Sequence, residues 1–188
     1  MEHFIHNAYT FELVDDNPKA TKYDFVSVGK KNIPKRVSIR QFPHKGYEQF
    51  YNLGFGNISI DKNGAESISD MSRDNNQDDA NKVLRTVIVC ALDFLVNNPN
   101  ATLLFYGNTH AKQRLYKIGI NNNLEDIRLF LNLKGFIIDD IKLKDNNDGS
   151  KELANKVIEP NSIFSYPYKP INSNQYHFIT LELKDELK

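Results

Sequence analysis

DANKVLRTVIVCALDFLVNNPNATLLFYG, residues 79–107, changes the hydrophobic period of the chain from two to nearly four and back. Val83, Leu84, Val87, Ile88, Ala91, Leu92 and Leu95 recur at three- and four-residue steps, so they form one apolar stripe along an amphipathic helix. The polar run NNQDD ahead of it supplies capping residue types, and Pro99 prevents its continuation. ATLLFYG (101–107) is short, apolar and bounded by turn residues, as a buried central strand is. A helix packed on a sheet is the arrangement that buries both patterns together.

Upstream the period is two. YDFVSVG (23–29) mixes Tyr23, Phe25 and Val28 with small polar residues, and KKNIP reverses the chain into KRVSIRQF (35–42), where Val37 and Ile39 alternate with Arg36, Ser38 and Arg40. EQFYNLGFGNISI (48–60) predicts a third strand, with Gly54 and Gly56 marking a bulge or a close backbone approach. DKNG turns it into AESISDMS (65–72), a fourth. Downstream, GNTHAKQRLYKIGI (107–120) predicts a second helix, and DIRLFLNLKGFIID (126–139) a strand. A polar insertion and a loop punctuated by Pro160, Pro167 and Pro170 precede a last strand, QYHFITLEL (175–183). The expected fold class is α+β: a mixed, mainly antiparallel sheet with two main helices. A chain of 188 residues is long enough for one substantial core, so a single domain over 1–188 is expected, with residues 1–22 as an N-terminal extension and 144–172 as an insertion.

Charge narrows the function classes. Twenty-four basic and 24 acidic residues give no net charge, which disfavours a general binder of nucleic acid or acidic lipid. The longest apolar run, TVIVCAL (86–92), falls far short of the roughly 20 residues that span a bilayer, and MEHFIHNAYT does not resemble a secretory signal. A cytoplasmic location is expected. One cysteine, Cys90, excludes an internal disulfide, and its place at the edge of the helical stripe suits a small core residue rather than a nucleophile paired with His110. His3 and His6 lack neighbouring ligands, so no metal and no cofactor are expected.

The second predicted helix carries the leading site. His110, Arg114 and Lys117 are spaced by four and three and share a face, with Ala111, Leu115 and Ile118 on an opposite, core-directed one. Gly107 ahead of the helix, with Asn108 or Thr109 as cap, would expose backbone donors, and Arg114 would add a bidentate grip on a phosphate or carboxylate. The competing reading is a solvated helix face with Lys117 favoured by the helix dipole. A second surface comes from Lys30, Lys31, Lys35, Arg36 and Arg40, in a stretch where Asp24 is the one acid, while acids cluster over 61–79. Such polarity would suit nucleic acid, an acidic protein or the chain's own acidic edge; lysine-rich turns that protect sheet edges give the same pattern.

LGFGNISIDKNGAESISDMS, the amphipathic helix, the buried strand and NTHAKQRLYKIGI together resemble, over roughly residues 53–120, the cofactor-binding half of the acetyl-CoA-dependent N-acetyltransferase superfamily. The resemblance implies an acetyltransferase-like order of elements. Two departures count against the activity. The turn RDNNQDDA lacks the glycines that would bare backbone donors to a pyrophosphate, and it places Asp74, Asp78 and Asp79 there instead. Three residues rather than two separate Ala111 from Leu115, which rotates Tyr116 by about 100° from the position of the superfamily's acid catalyst. YDFVSVG, YNLGFGN, KVLRTV and GNTHAKQRLYKIGI are also similar to an uncharacterised family of small bacterial proteins, covering most of the chain to about Leu133; this implies a compact domain and no named activity. The expected function is a binding or regulatory module for a phosphate-bearing small molecule or a protein partner. The rivals are a divergent acyltransferase or small transferase, with His110 or Tyr116 as acid or base, and one component of a toxin and antitoxin pair.

Overall fold

The computed structural model describes residues 6–17, 19–43, 46–69, 76, 79–107, 110–139, 143–145, 151–153 and 163–188. Along the chain run β1 (Phe11–Asn17), β2 (Ala20–Val28), β3 (Asn32–Gln41), β4 (Phe50–Ile60), β5 (Glu66–Ser69), α1 (Ala80–Asn97) and β6 (Thr102–Phe105). After them come α2 (His110–Asn122), α3 (Leu124–Arg128), β7 (Leu131–Ile138), β8 (Leu143–Asp145), β9 (Lys151–Leu153), β10 (Ile163–Pro167) and β11 (Phe178–Leu183). Nine of these strands make one sheet in the order β1-β2-β3-β4-β6-β11-β7-β10, with β5 on β4; β8 and β9 form a separate ribbon. The fold is therefore α+β, with two main helices. β4 and β6 run parallel, and the other described pairings are antiparallel.

One face of the sheet is covered by helices. Tyr23, Phe25, Val37, Ile39, Leu53, Leu103, Phe105, Ile179, Leu181 and Leu183 alternate onto it and are buried. Against them α1 buries the whole predicted stripe, and Thr86, Val89, Cys90 and Phe94 are buried as well. Each large apolar side chain removed from water here contributes about 1.5–3 kcal/mol. The opposite face is polar on β2 and β3, where Arg36 and Asp24 pair across the strands, and carries the stacked rings of Phe136 and Phe178 on β7 and β11.

Several local expectations change. The strand expected over 126–139 begins with helix: Leu124 and Ile127, one helical turn apart, are both buried in α3, and strand pairing starts at Leu131. Asn32–Pro34, expected as turn, already belong to β3; Pro34 is tolerated because the β4 ladder begins only at Lys35, leaving that edge without need of its amide. No bulge occurs at Gly54 or Gly56, since β3 and β4 stay in unbroken register from Gln41↔Tyr51 to Lys35↔Asn57. Nothing crowds Gly54, whereas Leu84 fills the place of a side chain at Gly119, and the Tyr176 ring does so at Gly135. Phe11–Asn17, within the expected N-terminal extension, is the edge strand paired with β2. Within the expected insertion, β10 pairs with β7, and Pro170 opens a 3-10 helix that runs to Gln175. Tyr168, just before this helix, and Tyr176, just after it, are buried against each other, so the proline-punctuated segment packs back on the protein at those positions.

Candidate functional site

α2 is rotated from its expected phase. Leu115 and Ile118, expected in the core, are 40% and 43% exposed, whereas Tyr116, Lys117 and Ile120 are buried. Gln113, Tyr116, Lys117 and Ile120 lie at i, i+3, i+4 and i+7, as regular a helical stripe as the apolar one read from the sequence. Aromatic packing selects it. Tyr116 stacks on Phe105 with centroids 4.4 Å apart and lies 5.3 Å from Phe55, bridging β4 and β6 where their parallel pairing stops at Leu53 and Phe105. Gly119 lets Leu84 of α1 close against the same side.

Two polar residues are thereby drawn onto the core side of α2. Gln113 is fully engaged: its Oε1 accepts from the Gly107 N–H at 2.8 Å, and its Nε2 donates to the carbonyls of Tyr176 at 3.2 Å and His177 at 3.0 Å. It ties α2 to the end of β6 and to the start of β11. Lys117 is 6% exposed, and no described residue forms an ion pair or hydrogen bond with it. Burial therefore pulls its ammonium below the ordinary lysine range.

Gln113, Arg114, Lys117 and Asn174 line a cavity of about 460 Å³. Arg114 and Asn174 are exposed at it, and Lys117, its side chain largely buried, supplies a second cation. His177 lies close enough to feel that charge. Its Nδ1 accepts from the Ile138 N–H at 3.0 Å, so the neutral ring carries its proton on Nε2. Burial first, and then the Lys117 ammonium, hold its pKa below the usual histidine value, with Asp139 opposing them.

Of the corner expected from the sequence, Arg114 and Lys117 share this cavity. Gly107 is not a free backbone donor, because Gln113 occupies its N–H. His110 begins the helix, and Asn108 and Thr109 lie outside the described residues. Gln113 and Asn174 were missing from the expectation. Gln113 stands on the buried stripe, a signal that becomes visible once Tyr116 rather than Leu115 is taken as the core residue. Asn174 comes from the 3-10 helix that precedes β11, 57 residues beyond Lys117, and nothing in its local sequence marks it.

The basic stretch does not form one patch. Lys35 is 4% exposed on the helix-covered face, where its Nζ donates to Asn57 Oδ1 at 2.6 Å; burial lowers its pKa, with Asp79 opposing. Arg36 grips both Asp24 oxygens at 2.7 Å and reaches Glu66 at 2.7 Å, so part of the expected acidic edge meets the basic one inside the chain. Lys30 and Lys31 are exposed at the β2–β3 turn, and Arg40 is exposed near the far end of β3, donating to Ser38 Oγ at 3.2 Å. Eight or nine extended residues, roughly 25–30 Å, separate the two groups. Cys90 is fully buried, and its thiol is pushed up by burial and by Asp93. Among the described residues no His, Cys, Asp and Glu side chains are grouped as metal ligands, and no helix is long and apolar enough to cross a membrane.

No curated protein and no solved structure matches the chain. The model of DUF6934, a family of unknown function, matches residues 6–157, which include Gln113, Arg114 and Lys117; Asn174, His177 and the central strand β11 lie beyond the matched span. With the greater part of its length so matched, the chain belongs to the DUF6934 family.

Proposed function

We propose that this chain is a binding or regulatory module that accepts an anionic small molecule in the cavity beside α2. The observation that carries this reading is Lys117: a cation 6% exposed, lining a cavity, with no counter-ion among the described residues. Holding an ammonium at a largely buried position with no partner but the water of the cavity is unfavourable, so a sequence that only had to pack would place an apolar side chain there. A bound carboxylate or phosphate would supply the missing charge. Arg114, at i−3 to Lys117 and exposed at the same cavity, would close a planar fork over it. Gln113 is engaged with backbone at both ends, so it would hold the cavity wall rather than the ligand.

A thermal-shift screen tests this reading with coenzyme A, nucleotides, phosphosugars and di- and tricarboxylates, repeated on Arg114→Ala. A ligand present at about 100 times its Kd raises stability by about 2.7 kcal/mol, which such a screen resolves. The expected result is a melting-temperature rise with an anionic ligand that is lost in a variant whose own melting is unchanged. A rise that persists in Arg114→Ala would remove the cavity from consideration.

A further inference from the structure

We infer that the ligand of this cavity is a phosphomonoester in its dianionic form, held between Lys117 and Arg114. This rests on the anion-site reading and adds a class to it. Among the described residues the lining is two cations and two neutral amides, with no carboxylate, and these residues bring two formal positive charges to the wall. A carboxylate, a sulfate ester or a phosphodiester brings one negative charge and would leave one cation uncompensated. Lys117 has only the water of the cavity to offset that deficit, because its side chain is otherwise buried.

Hydrogen-bond capacity points the same way. An ammonium has three donors and a guanidinium five, which a phosphoryl group with three terminal oxygens can meet from two sides, whereas a carboxylate has two oxygens in one plane. The second ionisation of a phosphomonoester falls near pH 6, so the dianion is the main form at neutral pH. The cavity is also larger than a bare ion needs: about 460 Å³ lies in the range of sites for whole small molecules. The phosphoryl group would be a head at the α2 side, and a polar body would extend toward Asn174, whose amide offers both a donor and an acceptor.

The test is a calorimetric titration at about pH 7.5 with glycerol phosphate, ribose 5-phosphate and phenyl phosphate, each paired with its own methyl diester, and with benzoate and citrate as carboxylate controls. At least one monoester should saturate and bind about ten-fold or more tighter than its diester, the scale of one lost charge-assisted hydrogen bond. In Lys117→Met, checked for folding by its thermal melt, that ratio should collapse toward one. A diester binding as well as its parent, or a carboxylate binding while every monoester fails, would overturn the dianion and leave the anion site standing. Failure of every compound to saturate would overturn both.

Discussion

Lys117 occupies a position that packing alone would give to methionine. The side chain lies on the buried stripe of α2 between Tyr116 and Ile120, and its ammonium has no described counter-ion. Replacing a buried, unpartnered charge by an apolar group of similar volume is neutral to stabilising. Lys117→Met is therefore expected to raise unfolding free energy by about 1–2 kcal/mol while weakening anion binding and erasing the preference for a phosphomonoester over its diester. At this chain length that is a rise of roughly 2–4 °C in Tm per kcal/mol. A stabilised variant that binds weakly and no longer tells a monoester from its diester is the signature of a residue kept for function. A destabilised Lys117→Met would mean that the ammonium has a structural partner, and the reading of the cavity would fall with it. Arg114 is the complementary case. It is exposed, so its truncation should leave the melt unchanged and register in binding alone.

At the level of elements, the contact between α1 and α2 decides which face of α2 looks inward, and it turns on one glycine. Leu84 occupies the space that a side chain at Gly119 would need. Alanine is worth about 1 kcal/mol more than glycine in a helix, but overpacking a closed contact costs about 1–3 kcal/mol. Gly119→Ala is expected to be destabilising on balance, and Leu84→Ala in that background should cost less than it does alone. Chemical denaturation of the four proteins in this cycle measures the coupling; strict additivity would show that α2 shifts freely and that its phase is not fixed here. The same contact explains what was legible beforehand. α1, β2, β4 and β6 are strongly periodic, and their positions follow from their own residues. α2 offers two stripes of equal regularity, Ala111–Leu115–Ile118 and Gln113–Tyr116–Ile120, and only partners distant in sequence choose between them. The choice is made by Phe105, Phe55 and Leu84, which a reading of local apolarity assigns to other elements. α3 was missed for a related reason: the alternation beginning at Leu131 was extended backward over a single helical turn.

Across the whole molecule, the cavity joins segments that the sheet order brings together from far apart: α2 follows β6, while Asn174 and His177 precede β11, which inserts between β6 and β7. No spacing rule in the sequence could have paired them, since that adjacency exists only once the last strand has entered the middle of the sheet. One consequence is an acid-sensitive seam. His177 receives the Ile138 N–H on Nδ1 and lies under the field of Lys117 from α2, with Asp139, just past β7, countering the downward shift. Its pKa in the folded chain is below the ordinary 6.5. As pH falls through that value, the unfolded chain takes up a proton that the folded chain refuses until the pH is lower still. The unfolded state then binds more protons, so stability is lost toward acid and is fully present above about pH 6.5. His177→Asn places a carbonyl oxygen where Nδ1 stood and keeps an acceptor for Ile138 without a titrating ring. Urea unfolding of both proteins between about pH 5.5 and 7.5 should show the wild type losing more stability than the variant on acidification. Carboxylates titrate alike in the two and cancel in the comparison. Parallel pH profiles would mean that His177 protonates as readily in the folded chain as in the unfolded one, and that Lys117 exerts no pressure on it.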